Sequence, residues 1–252
     1  MGALRVYLIG RVCVEVGERL LDERRLGGRQ GRLALVYLAH ERTRAVPRDE
    51  LADLLWPAGP PRSWDTALSA VVSNLRRALA GLGLPRDALG QAFGCYQLLL
   101  PPGAWLDVEH ASRAVEEAEA ALGAGDPAAA YGWAGAATAI ARRPFLPGEE
   151  GDWIAARRAG LRALLLRGLD CFVPVFLWSG ETLQAVRAAE EAIALEPFRE
   201  TGHRHLMRAH AAAGNRAEAL RAFQRCRALL AEELGADPSP ETESVYLEVL
   251  RA

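Results

Sequence analysis

The sequence predicts a mainly α protein in two parts, an α+β first part followed by an all-α helical repeat. Three observations carry this. Side chains alternate apolar and polar from Leu4 to Val16, a period of two. Three helical patterns follow within the first hundred residues. The second half repeats itself, with Gly180 on Gly214 and Ala185 on Ala219, a shift of 34 residues.

In the alternating stretch, Leu4, Val6 and Leu8 are separated from Val12, Val14 and Val16 by Gly10-Arg11, which reads as a hairpin. Gly17-Glu18 turns the chain into a third short strand near Arg19 to Leu21. "LGGRQG" follows no βαβ unit and reads as the turn before a nearly all-apolar helix, "GRQGRLALVYLAHE", rather than as a dinucleotide loop. "PRDELADLLW" has Pro47 near a helix start and acids in the first turn, where the helix dipole favours them. After the turn "PAGPPRS" comes "TALSAVVSNLRRAL". At about 100° per residue, its Leu68, Val71, Val72, Leu75 and Leu79 form one stripe. The opposite side carries Thr66, Ser69, Ala70, Ser73 and Arg77, with Asn74 and Arg76 on the shoulders. "AFGCYQLLL" returns to strand character, and Tyr96 reads as core.

This order of strands, three helices and a final hairpin is that of a winged helix-turn-helix with an N-terminal sheet. The third helix of such a fold lies in the DNA groove. Its small side chains allow close approach to a major groove about 12 Å wide, and its terminal arginines reach phosphates or guanine edges.

Residues 103–252 read as helical hairpins of tetratricopeptide spacing. Val108–Ala124 and Pro127–Arg143 form a hairpin out of phase with the later two, and a last helix runs near Pro240 to Leu250. "RRPFLPGEEGDW" accounts for the lost phase; within it Glu149-Glu150 reads as a solvated turn and Trp153 as a core anchor. The domains expected are therefore 1–102 and 103–252.

Composition narrows the function. All 30 basic residues are arginine, so a Walker A loop or a Schiff-base lysine is impossible. Residues 1–100 hold 14 arginines against 10 acids, a charge of +4, whereas the remainder holds 16 against 22, or −6. That asymmetry gives an anionic partner to the first part alone. Cys13, Cys95, Cys171 and Cys226 are widely spaced and read as reduced thiols of a cytoplasmic protein, and no apolar run is long enough to span a membrane. His203 and His205 stand about 200° apart on a helix and cannot chelate together. No metal, cofactor or catalytic set is expected, and the protein reads as no enzyme.

"PRDELADLLW", "SNLRRAL" and "GCYQL", in this order, resemble the winged-helix output domain of response regulators, and more specifically the SARP (antibiotic regulatory protein) family of transcriptional activators. "RRPFLPGEEGDWIAARRAGLR" and "EPFRETGHRHLMRAHAAAGNRAEALRAFQRCRALLAEELGADPSPE" resemble that family's bacterial transcriptional activator domain. The resemblance covers nearly the whole chain. It implies binding of double-stranded promoter DNA, recruitment of RNA polymerase at repeated promoter elements, and a helical-repeat part that serves either a homodimer or ligand and protein contacts. Carried over by position, Thr66, Ser69, Ser73 and Asn74 face bases or nearby phosphates, and Arg76 and Arg77 grip the backbone. Arg29, Arg32 and Arg62 are further candidates for phosphate contacts. The chain departs from the family at Ser69, Ala70 and Asn74, where larger or basic residues are common. The rival reading is a tetratricopeptide adaptor or ligand-binding protein with a degenerate winged helix.

Overall fold

A computed structural model describes residues 2–251. The chain divides into two compact units: one runs to His110 and also takes Arg143–Arg158, and the other comprises Ala111–Arg142 and Ala159 onward.

In the first unit the alternating stretch forms β1 (Leu4–Tyr7) and β2 (Cys13–Val16), paired antiparallel with Val6 opposite Val14. β3 (Arg19–Asp22) extends the sheet on the other side of β2. Strand-paired Leu4, Val6, Val14, Val16 and Leu21 are all buried, the consequence of a single buried face with a two-residue period. A long-range strand closes the other edge, because β7 (Trp105–Leu106) lies parallel to β1 and gives the order β3-β2-β1-β7. Next to it, Asp107 is fully buried and accepts from the backbone N–H groups of Leu8 at 2.9 Å and Ile9 at 2.9 Å. Burial pushes its carboxyl pKa up, while those N–H groups and that of Val108 pull it down. Unit 1 thus extends past residue 102: residues 103–110 complete its sheet, and residues 143–158 return to it.

α1 (Gly28–His40), α2 (Arg48–Leu55) and α3 (Trp64–Gly81) pack through Leu33, Leu35, Leu38, Leu51, Leu55 and Leu75, each at most 1% exposed. The wing is a three-stranded sheet of β4 (Val46–Pro47), β6 (Cys95–Leu98) and β5 (Leu89–Ala92), in that order. β4 runs straight into α2, so the wing and the helix-turn-helix share one backbone junction, where Arg48 N donates to Gly94 O at 3.1 Å.

The second unit is helical. α4 (Asp107–Gly123), with its first residues in unit 1, and α5 (Pro127–Ala141) form the early hairpin. α6 (Asp152–Trp178), whose residues to Arg158 belong to unit 1, leads to α7 (Thr182–Leu195), α8 (Glu200–Ala212), α9 (Arg216–Leu234) and α10 (Pro240–Arg251). The 34-residue repeat has a backbone counterpart. Before α7, Gly180 has φ 78° and Glu181 N donates to Phe176 O; before α9, Gly214 has φ 73° and Asn215 N donates to His210 O. Both are left-handed helix ends that glycine adopts without steric cost. Beyond them Ala185 and Ala219 are both fully buried, and small residues at these positions let the helices approach closely. Among the described residues no helix is long and apolar enough to cross a membrane.

Candidate nucleic-acid interface

α3 is docked by Leu68, Val72, Leu75 and Leu79, none more than 2% exposed, while Val71 is only half-buried. On the opposite side Thr66, Ser69, Ala70, Ser73, Asn74 and Arg77 are exposed. The stripe read from the sequence is therefore real, and the small-residue side faces outward.

Hydrogen bonding then separates these residues. Ser69 Oγ donates to Asp65 O at 2.8 Å and accepts from Arg48 Nη2 at 3.1 Å, so its donor is spent inside the protein. Among the described residues Thr66 and Ser73 make no side-chain hydrogen bond. Arg77 Nη1 donates to Asn74 Oδ1 at 3.3 Å, and that contact directs the Asn74 amide nitrogen away from Arg77. Arg62, in the exposed turn before α3, has no ion pair or hydrogen bond among the described residues.

Three expected phosphate contacts are engaged elsewhere. Arg76 Nε donates to Leu89 O at 2.8 Å, and its guanidinium carbon lies 5.9 Å from the Tyr96 ring centroid. It joins α3 to the wing rather than pointing outward. Arg29 Nε and Arg32 Nη2 both donate to the Glu149 carboxylate at 2.8 Å. Glu149 is 4% exposed, which corrects its reading as a solvated turn: it is a buried anion that requires cations beside it. Trp153 is a packing residue as expected, its ring 4.8 Å from Tyr37 and 5.9 Å from Phe145.

The wing holds residues that periodicity does not mark. Tyr96 is 1% exposed and accepts a hydrogen bond from Arg48, whose guanidinium carbon is 5.3 Å from the same ring. Arg48 also pairs with Asp65, so one side chain holds α2, α3 and the wing in register. Nothing in the local sequence signals that role, because its three partners lie 17 to 48 residues away. At the hairpin tip, Phe93 has φ 51° and is fully exposed.

The histidines do not converge. His203 Nε2 lies 2.8 Å from Pro197 O, and His205 Nε2 lies 3.7 Å from Asp170. Among the described residues no group of three or more His, Cys, Asp or Glu is placed to hold a metal ion. All four cysteines are free thiols.

Comparison with known proteins agrees with this architecture. Residues 106–250 match the family model of the bacterial transcriptional activator domain. The regulatory protein AfsR of Streptomyces griseus is 30% identical over 250 residues, covering 99% of this chain and 25% of AfsR. The transcriptional regulator RedD of Streptomyces coelicolor is 28% identical over 249 residues, covering 94% of this chain and 71% of RedD. A solved structure of Mycobacterium tuberculosis EmbR, in complex with a low affinity phosphopeptide, has the same fold, with a TM-score of 0.88 and 24% identity over 100% of this chain and 66% of that one. The chain spans about a quarter of the length of AfsR. With more than half its length matched by the family model, the chain belongs to the bacterial transcriptional activator domain family, among regulators of SARP type.

Proposed function

We propose that unit 1 binds duplex promoter DNA with the exposed side of α3 in the major groove, and that the chain acts as a transcriptional activator. The observation that carries this reading is the two-sidedness of α3: four large apolar side chains hold it from behind, and Thr66, Ser73, Asn74 and Arg77 stand on a face free of bulk. Hydroxyl and amide groups in this arrangement offer donors and acceptors to base edges, and Arg77 and Arg62 offer charge to phosphates. Arg29, Arg32 and Arg76 are left out of the proposed contact set, because Glu149 and the Leu89 carbonyl already engage their guanidinium groups. Recruitment of RNA polymerase at repeated promoter elements, by a homodimer acting in the cytoplasm, extends the reading by family.

Duplex affinity measured against salt tests it. The logarithm of affinity is expected to fall with slope about −0.9 per neutralised phosphate, and Arg77→Ala to flatten that slope by about one such step. Arg76→Ala serves as the internal control: it lowers thermal stability and leaves the slope intact. A chain with no measurable duplex affinity at low salt would overturn the proposal.

A further inference from the structure

The turn between β3 and α1 and the C-terminal half of α3 border an open hollow of about 360 Å³ within unit 1. Arg24, Arg25, Gly27, Asn74 and Arg77 line it. Three arginines thus line one concave surface. The neighbouring acid, Asp22, forms its contact ion pair with Arg11 Nη2 at 2.8 Å, outside this group, and accepts from the backbone N–H of Arg24 at 2.7 Å. None of Arg24, Arg25 and Arg77 forms a contact ion pair among the described residues. Like charges gathered in a concavity raise the local potential and favour an anion there.

The backbone adds to this. Gly27 and Gly28 have φ 87° and 75°, and α1 starts with no side chain capping its first N–H groups. Those groups carry the positive end of the helix dipole. A Cβ on Gly27 would meet Asn74 Cβ at 3.7 Å, whereas one on Gly28 would meet nothing within 4 Å. The start of α1 therefore abuts α3 at Asn74 and, through Gly27, borders the same hollow as the arginines. A tetrahedral phosphate suits that mixture, because guanidinium donors pair with two of its oxygens at once.

We propose that this hollow is a phosphate site that receives a backbone phosphate of duplex DNA, fixing the register of α3 along the groove. The assignment of DNA as the source rests on the reading of α3 above; the phosphate chemistry does not.

Two measurements on the full chain test the site. Inorganic phosphate, titrated at constant ionic strength with chloride as control, is expected to shift the amide resonances of Gly27, Gly28 and Arg29 saturably. The Arg24→Ala/Arg25→Ala double variant is expected to lose that shift while keeping the wild-type thermal transition. In duplex binding the same variant is expected to flatten the salt slope by about 0.9, the loss of one phosphate. Absence of a saturable shift overturns the site. A shift with an unchanged salt slope overturns DNA as its source and leaves free phosphate. If the wild-type chain binds no duplex, the proposed function fails alone and the phosphate titration still decides the site.

Discussion

Arg32 and Glu149, 117 residues apart in sequence, meet at 2.8 Å, and Arg29 reaches the same carboxylate. The segment Arg143–Arg158 is tied to the rest of unit 1 here, by Gly10 N donating to Pro144 O at 2.8 Å, and by the packing of Trp153 on Tyr37 and of Phe145 on His40; within it, Arg158 Nη2 donates to Leu146 O at 2.7 Å and Glu149 O at 2.8 Å. Removing one partner of a buried pair leaves uncompensated charge. Glu149→Gln is expected to cost about 2 kcal/mol, discounted because Arg29 is half exposed. Hydrogen exchange should quicken first at the amides of Arg143–Arg158. Unchanged exchange there would show that the carboxylate holds nothing.

Phe93 should be a site of stored strain. The two-residue turn between β5 and β6 has positive φ at Phe93 and Gly94, a conformation that Asn-Gly adopts readily and phenylalanine does not. The ring is fully exposed and recovers nothing by burial. Phe93→Asn is expected to raise stability by about 1 kcal/mol, read from urea denaturation. An unchanged or lowered midpoint would mean that the turn is unstrained.

Acid should destabilise the protein in a defined window. Burial lowers the pKa of His40, whose ring lies edge-on to Phe145 and Trp153, to about 4. Burial likewise lowers His205 to about 4, partly opposed by Asp170. Both rings are neutral when folded, so the unfolded chain binds more protons between its ordinary histidine pKa of about 6.5 and pH 4. The stability tied to neutral rings is complete above pH 6.5 and is lost as pH falls towards 4, by about 1.4 kcal/mol per unit for each ring. Glu41 and Glu50, whose pKa values fall because contacts with Arg44 outweigh burial, add a loss of stability that sets in as pH falls to the ordinary glutamate range. Melting temperature should therefore drop between pH 6.5 and 4.5, and the drop should be shallower in His40→Gln/His205→Gln. An identical pH slope in that variant would refute the assignment.

Two glycines of α6 should respond oppositely to alanine. A Cβ on Gly168 would lie 2.6 Å from Thr138 Cγ2 of α5, whose hydroxyl is fixed to Ala134 O at 2.8 Å. One on Gly160 would meet nothing within 4 Å. Gly168→Ala is expected to cost about 1 to 3 kcal/mol through overpacking. Gly160→Ala should gain about 0.5 to 1 kcal/mol by restricting the unfolded chain. Equal effects in calorimetry would contradict the close approach of α5 and α6.

The sequence by itself determined what repeats along the chain. Alternation from Leu4 to Val16 specified the hairpin, the stripe from Leu68 to Leu79 specified which side of α3 faces inward, and the 34-residue shift specified the paired helix ends at Gly180 and Gly214. Each is a local period, and burial of one face imposes it on neighbouring residues. Only the tertiary structure decided which polar groups meet. It added Trp105–Leu106 beside β1, turned Glu149 inward onto Arg29 and Arg32, drew Arg76 to Leu89, and gathered Arg24 and Arg25 beside Arg77. An arginine has the same appearance in sequence whether it is paired, packed on an aromatic ring or open to solvent. Its partner is set by residues brought close through folding, so no period along the chain records the choice.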